Sequence, residues 1–237
     1  MFSDNNDLNE QLKISDYVKS LYASILPIHT KYNIIITGPV SVGKTTILNA
    51  LYHLLKLSNQ EIQTFPEFVC TKLGRELLSK NLSKEISALT FQSYVLDFWD
   101  KEPNFKNVNL FERCLDDTIY VFCKYQLHHG NLTELEYKTL EEKMKRINMK
   151  WNLPSFDKEY KLVTLNTDKS IDEILYELYK IVQEDIKDGV ETRIISLDLS
   201  SQKILERIKF RGRDGESAYS LEYIDEIRKS YYDMLKV

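Results

Sequence analysis

The stretch Tyr32-Asn33-Ile34-Ile35-Ile36-Thr37-Gly38-Pro39-Val40-Ser41-Val42-Gly43-Lys44-Thr45-Thr46 decides how the chain is read. Its first six residues are a largely apolar run of strand length, as a parallel strand buried on both faces requires. A loop of pattern G-x-x-x-x-G-K-T follows, and apolar residues at helical spacing then continue to about Leu57. Strand, glycine loop and helix in that order make a phosphate-binding loop. Small residues let successive backbone N–H groups turn toward phosphate oxygens, and the helix N-terminus adds partial positive charge. On this reading Gly38, Pro39, Val40, Ser41, Val42, Gly43 and Thr46 wrap the phosphates of a nucleotide, with kinases, ATPases, GTPases and binding modules all still open. Lys44 bridges the terminal phosphates and the Thr45 hydroxyl ligates Mg2+.

Working outward, residues 62–65, 108–111, 160–165 and 193–199 read as further strands. Between them, helical spacing covers 71–80, 85–100, 115–128, 133–150, 170–187, 201–210 and 221–236. This alternation predicts an α/β fold: a parallel five-stranded sheet flanked by helices. Apolar spacing over 8–25, ended by Pro27, predicts an N-terminal helix. It is assigned to an extension, 1–31, ahead of a domain spanning 32–237. Thr133 and Glu136 form a capping box. His128 and His129 before Gly130 suit a helix C-terminus closed by glycine better than a metal site.

Composition narrows the function classes. A net charge of −4 excludes a sequence-independent nucleic-acid binder, so any basic site is local. No apolar run approaches the roughly 20 residues that span a bilayer, and the polar start is no secretory signal. Cys70, Cys114 and Cys123 lack metal or redox spacing and read as reduced thiols, which implies a cytoplasmic setting. Only seven glycines and five prolines occur, leaving little linker.

Three further motifs bear on chemistry. In open parallel sheets ligands sit beyond the C-terminal strand ends, and Phe65-Pro66-Glu67 places a carboxylate there. Glu67 is suited to accept a proton from an attacking hydroxyl. Phe111-Glu112-Arg113 ends the next strand. Glu112 is placed to hold Mg2+ directly or through water, and Arg113 to steady a phosphoryl group or the Glu67 carboxylate. Arg207 and Arg211 share a helical face and Arg213 follows a glycine. Three guanidiniums near a triphosphate describe an arginine-rich lid at about 207–219.

The segments Thr90-Phe91-Gln92-Ser93-Tyr94, Phe111-Glu112-Arg113-Cys114 and Arg207-Ile208-Lys209-Phe210-Arg211-Gly212-Arg213-Asp214-Gly215-Glu216, then Ser220-Leu221-Glu222-Tyr223, resemble the deoxyribonucleoside kinase family. They fall in the family's order after the phosphate loop, over roughly 32–128 and 193–235. The resemblance implies ATP with Mg2+ as phosphate donor and a nucleoside 5′-hydroxyl as acceptor. It makes Glu67 the general base, Gln92 the bidentate partner of the base, and Glu112 and Arg113 the pair at the metal and reacting phosphate. Arg207, Arg211 and Arg213 match the lid arginines, Glu216 matches an acid at the sugar 3′-hydroxyl, and Phe91 adjoins the substrate. A homodimer through helices beside the sheet is implied as well.

Several positions depart from the family's pattern. Pro66 precedes Glu67 where relatives read Glu-Pro, which implies a displaced base. Cys114 replaces a serine, and Trp99 and Thr118 occupy positions that help to set base preference. Relatives also place a last strand after the lid, whereas here Tyr160–Leu165 and Asn166-Thr167-Asp168-Lys169 precede the lid strand. This strand is therefore expected to fill the sheet edge, with Thr167 and Asp168 serving the adenine. Two other readings stay open: a thymidylate-type monophosphate kinase, with Arg75 holding the acceptor's phosphate, and a non-catalytic nucleotide-binding module.

Overall fold

Alternation along the strands gives the sheet two apolar faces. In β1 (Tyr32–Thr37), Ile34 and Ile36 join one core and Ile35 the other. Val108 and Leu110 of β3 (Val108–Glu112) likewise oppose Phe111, and Ile195 and Leu197 of β5 (Thr192–Asp198) oppose Ile194. Side chains on a strand point to opposite faces in turn, so these runs bury two layers at once. The computed structural model describes residues 13–213 and 216–236. Residues 8–12 of the expected first helix, and Asp214 and Gly215 of the arginine segment, lie outside them.

All neighbours in the sheet run parallel, in the order β2-β3-β1-β5-β4, where β2 is Ile62–Phe65 and β4 is Lys161–Asn166. The strand ahead of the lid thus fills the edge, in register from Lys161 opposite Arg193 to Asn166 opposite Asp198. Right-handed crossovers decide which face each helix covers. The connections β1 to β2 and β4 to β5 advance in the same direction across the sheet. Their helices, α2 (Lys44–Lys56) and α7 (Ile171–Asp188), accordingly share one core, joined by α1 (Asp16–Ala23). The return connections place α3 (Lys72–Leu82), α4 (Ala88–Trp99), α5 (Lys124–His128) and α6 (Glu134–Trp151) toward the opposite face. Leu96 and Trp99 of α4, and Leu140, Met144 and Ile147 of α6, pack there on Ile35 and Phe111. Two helices close the chain, α8 (Ser201–Arg211) and α9 (Leu221–Leu235).

Caps explain several boundaries. Ser15 accepts the Val18 N–H, so α1 begins at Asp16, later than its apolar spacing suggests. Thr133 and Glu136 exchange hydrogen bonds with each other's backbone, as the capping box predicts. The helix expected over 115–128 differs: Asp117–Cys123 winds as a π-helix before α5.

Across the α7–β5 connection, the Arg193 guanidinium forks onto Asp185, which also accepts the Tyr32 hydroxyl at 2.7 Å. Both members of the ion pair are buried. Removing one partner of such a pair leaves an uncompensated charge, so Asp185→Ala is expected to cost about 3–5 kcal/mol in denaturant unfolding. A loss below about 1 kcal/mol would reduce the pair to the worth of a surface contact.

Candidate active site

The C-terminal ends of the strands open onto a cavity of about 1250 Å³ into which the phosphate loop, Glu67, Gln92, Glu112, Arg113 and the lid arginines all project. In the loop, Gly38 and Gly43 have φ of +131° and +103°, and a Cβ on Gly38 would collide with the Leu197 carbonyl. Gly38 and Pro39 do not line the cavity itself; their carbonyls accept from Arg113 and Lys44. Lys44 is buried and donates to the Pro39 carbonyl at 2.8 Å. Burial, then the charge of Arg113, lowers its pKa to about 8. The Thr45 hydroxyl donates to Glu112 at 2.6 Å. Burial and the nearby Glu67 charge raise the pKa of Glu112. Two hard oxygen donors side by side at the loop suit Mg2+, which takes few protein ligands and otherwise keeps water and phosphate oxygens.

Arg113 has φ of +66°, a left-handed conformation rare outside glycine. Its N–H donates to the Ile36 carbonyl at 3.0 Å, and the Asp117 carboxylate caps the next N–H, that of Cys114, at 2.8 Å. The guanidinium donates to Glu67 at 2.9 Å, to the Gly38 carbonyl at 3.0 Å and to the Tyr231 hydroxyl. The order Pro66-Glu67 therefore leaves the carboxylate inside the cavity, paired with Arg113. Burial alone would raise the pKa of Glu67, but the charges of Arg113, Lys44 and Arg213 outweigh it and lower it.

Away from the charges the cavity turns neutral. Gln92 is 5% exposed, lines the wall, and its amide has no hydrogen-bonding partner among the described residues. Phe91 and Thr118 line the same region, and Trp99 lies nearly parallel to Phe111 with ring centroids 6.3 Å apart.

The lid arginines are all engaged. Arg207 donates to the Thr167 carbonyl at 3.0 Å and to the Val42 carbonyl at 3.4 Å. Arg211 and Arg213 converge on Glu216, which is 1% exposed. Thr167 lines the cavity, but Asp168 does not. Its carboxylate turns out to Lys203 at 2.5 Å, and Lys169, Ile171 and Ile174 form that wall instead. Arg75 lines the cavity with one guanidinium nitrogen on the Cys70 carbonyl at 2.7 Å. Sequence reasoning missed Tyr219 and Tyr223, which stack at 4.6 Å along one wall, and the Tyr231 and Asp117 contacts to the Arg113 turn. Spacing marks Tyr231 as core, and no local signal separates a tyrosine that packs from one that holds an arginine.

Residues 34–159, more than half of the chain, match the family model for deoxynucleoside kinases. A stretch of 43 residues is 49% identical to the deoxyadenosine kinase of Dictyostelium discoideum. That stretch is 18% of this chain and 18% of the relative, so the match spans less than a fifth of that relative's length. The chain belongs to the deoxynucleoside kinase family.

Proposed function

We propose that this protein transfers the γ-phosphoryl group of ATP to the 5′-hydroxyl of a deoxyribonucleoside. The observation that carries the reading is the Gln92 amide, which has no protein partner among the described residues and opens onto the same cavity as Glu67 and the phosphate loop. An amide offers donor and acceptor together, as the edge of a base requires. A module that only sensed nucleotide would need no such acceptor end.

In this mechanism the loop N–H groups and Lys44 hold the donor phosphates, and Thr167 borders the adenine. Thr45 and Glu112 would hold the magnesium ion that accompanies ATP, and the ion would neutralise charge on the phosphates. Gln92 reads the base between Phe91 and Trp99, with Thr118 beside it and Glu216 toward the sugar. Arg113 keeps Glu67 ionised and so ready to take a proton. The 5′-oxygen attacks the γ-phosphorus in line and its proton passes to Glu67. The bond from phosphorus to the β–γ bridging oxygen breaks, and ADP departs. Arg207, Arg211 and Arg213 offset charge on the phosphoryl group in flight. A homodimer through the helices beside the sheet belongs to the same proposal. Among the described residues no helix is long and apolar enough to cross a membrane.

Labelled ATP offered with each deoxynucleoside and each monophosphate tests the reading, with transfer to deoxynucleosides expected. Transfer to monophosphates alone would instead assign Arg75 to an acceptor phosphate, and transfer to neither would leave a binding module. Glu67→Gln is expected to lower kcat roughly 10²–10⁴-fold with little change in nucleoside affinity. Unchanged turnover removes Glu67 from its role.

Lys44 supplies a pH dependence. Its pKa of about 8 in the free protein lies below the ordinary 10.5, so the amine is neutral between those values. A bound triphosphate favours the ammonium, so binding takes up a proton in that window and loses affinity as pH rises. The dissociation constant for ATP should increase by up to about tenfold per pH unit above that point and stay flat below it. Calorimetry in buffers of different ionisation enthalpy reads the proton directly, and zero uptake would show that Lys44 does not meet the phosphates.

A further inference from the structure

Behind Arg113 lies a set of buried polar groups that the mechanism does not use. Tyr231, in the third turn of α9, is 2% exposed, and its hydroxyl accepts a hydrogen bond from Arg113 Nη1. The Asp117 carboxylate and the Thr37 hydroxyl lie close beside the same hydroxyl. Asp117 is 0% exposed; one of its oxygens accepts from Thr37 Oγ1 and the other from the Cys114 N–H. Three separate parts of the chain thus meet there: the end of β1, the turn after β3 and the last helix.

A guanidinium held at one edge can still swing about its terminal torsions. Arg113 is held at several points, because Nε faces Glu67 while Nη1 faces both the Gly38 carbonyl and Tyr231. A phenol that donates its own proton to a neighbouring oxygen becomes a stronger acceptor, since hydrogen bonds in a chain polarise one another. The ring of Tyr231 packs with Ile227 and Val121 and needs no hydroxyl for that. Packing and aiming are therefore separable.

We propose that the hydroxyl of Tyr231, backed by Asp117, is a positioning group that aims the Arg113 guanidinium at Glu67. The proposal rests on the reading of Glu67 as the base that accepts the acceptor's proton. Tyr231→Phe keeps the ring and removes only the hydroxyl. The variant should fold, with a melting temperature near that of the parent, while kcat falls by about tenfold or more, as a small misplacement at the reacting groups can.

The pH profile separates aiming from packing. Glu67 faces Arg113, Lys44 and Arg213 as cations, and Glu112, the Cys70 thiol and the Tyr219 phenol as the other titratable groups. A guanidinium that swings away leaves burial and Glu112 to dominate, so the acid limb of kcat moves to higher pH in Tyr231→Phe. Asp117→Asn, a second variant, should move it in the same direction. In a Glu67→Gln background Tyr231→Phe should add little, because both changes act on one pair. Titrating the Glu67 side-chain carboxyl carbon by NMR gives an answer without turnover. A higher pKa in the variant supports the proposal, and an equal one overturns it, as does a wild-type kcat or an additive loss in the double variant. Parent protein inactive toward every acceptor would overturn the proposed function instead, with the NMR titration still deciding the role of Tyr231.

Discussion

The geometry of the site depends on the left-handed turn at Arg113. Successive side chains on a strand point to opposite faces, so Glu112 and Arg113 in a continuing strand could not both enter one cavity. The positive φ at Arg113 breaks that alternation and brings both into it, Glu112 toward Thr45 and Arg113 toward Glu67. A non-glycine residue held this way costs on the order of 1–3 kcal/mol. The cost is met locally by the Asp117 cap on Cys114, by the guanidinium's bonds, and by the Phe122 ring 4.7 Å from its carbon. Burial of Phe111 immediately before the turn fixes the strand it departs from.

The topology makes those bonds available. Because β4 precedes β5 in sequence and still takes the sheet edge, the chain leaves β5 straight into α8 and then α9. Helix α9 thereby packs against α8 on one side and the π-helical segment and α5 on the other. Tyr231 reaches Arg113, while the adjacent Tyr232 donates to Asp198 at 2.7 Å and Arg228 forks onto the same carboxylate. The backbone carbonyl of Asp198 accepts the Thr167 N–H at 2.9 Å. One helix thus braces both the turn beside Glu67 and the loop beside Arg207.

Local, repeated patterns were legible in the sequence. The phosphate loop lies within eight residues, and apolar runs marked all five strands to within about two residues at either end. Glu67, Glu112 and Arg113 were legible because parallel sheets gather their C-terminal ends. The edge position of 160–165 followed from the family resemblance, which leaves a sheet edge for this strand to fill. Asp168 failed because which of two neighbouring side chains faces a cavity turns on a single residue of register. The π-helical winding at Asp117–Cys123 failed because apolar spacing over so few residues does not distinguish 3.6 from a wider turn. Tyr231 failed because its meaning lies in a contact 118 residues away in sequence, with Arg113.

The charges explain how a chain of net −4 can hold a polyphosphate. Among the described residues eight basic and four acidic side chains line the cavity, so the local balance there is opposite in sign to the global one. Unpaired, these charges would carry a desolvation cost that folding could not sustain. They are instead satisfied internally: Lys44 by Pro39, Arg113 by Glu67, Arg207 by Thr167, and Arg211 and Arg213 by Glu216. The folded protein can thus bury a cationic site before any ligand arrives, and a triphosphate replaces partners that are already anionic or carbonyl in character. Gln92 is built on the opposite principle. Its amide has no partner among the described residues, in a region walled by aromatic rings and a hydroxyl. An amide that opens onto the cavity without a protein partner offers a donor and an acceptor together to a neutral hydrogen-bonding ligand, whereas a charged ligand would bring its own desolvation cost. The cavity thus has a cationic end and a neutral, hydrogen-bonding end, the division that the proposed reaction requires if donor and acceptor meet between Lys44 and Glu67.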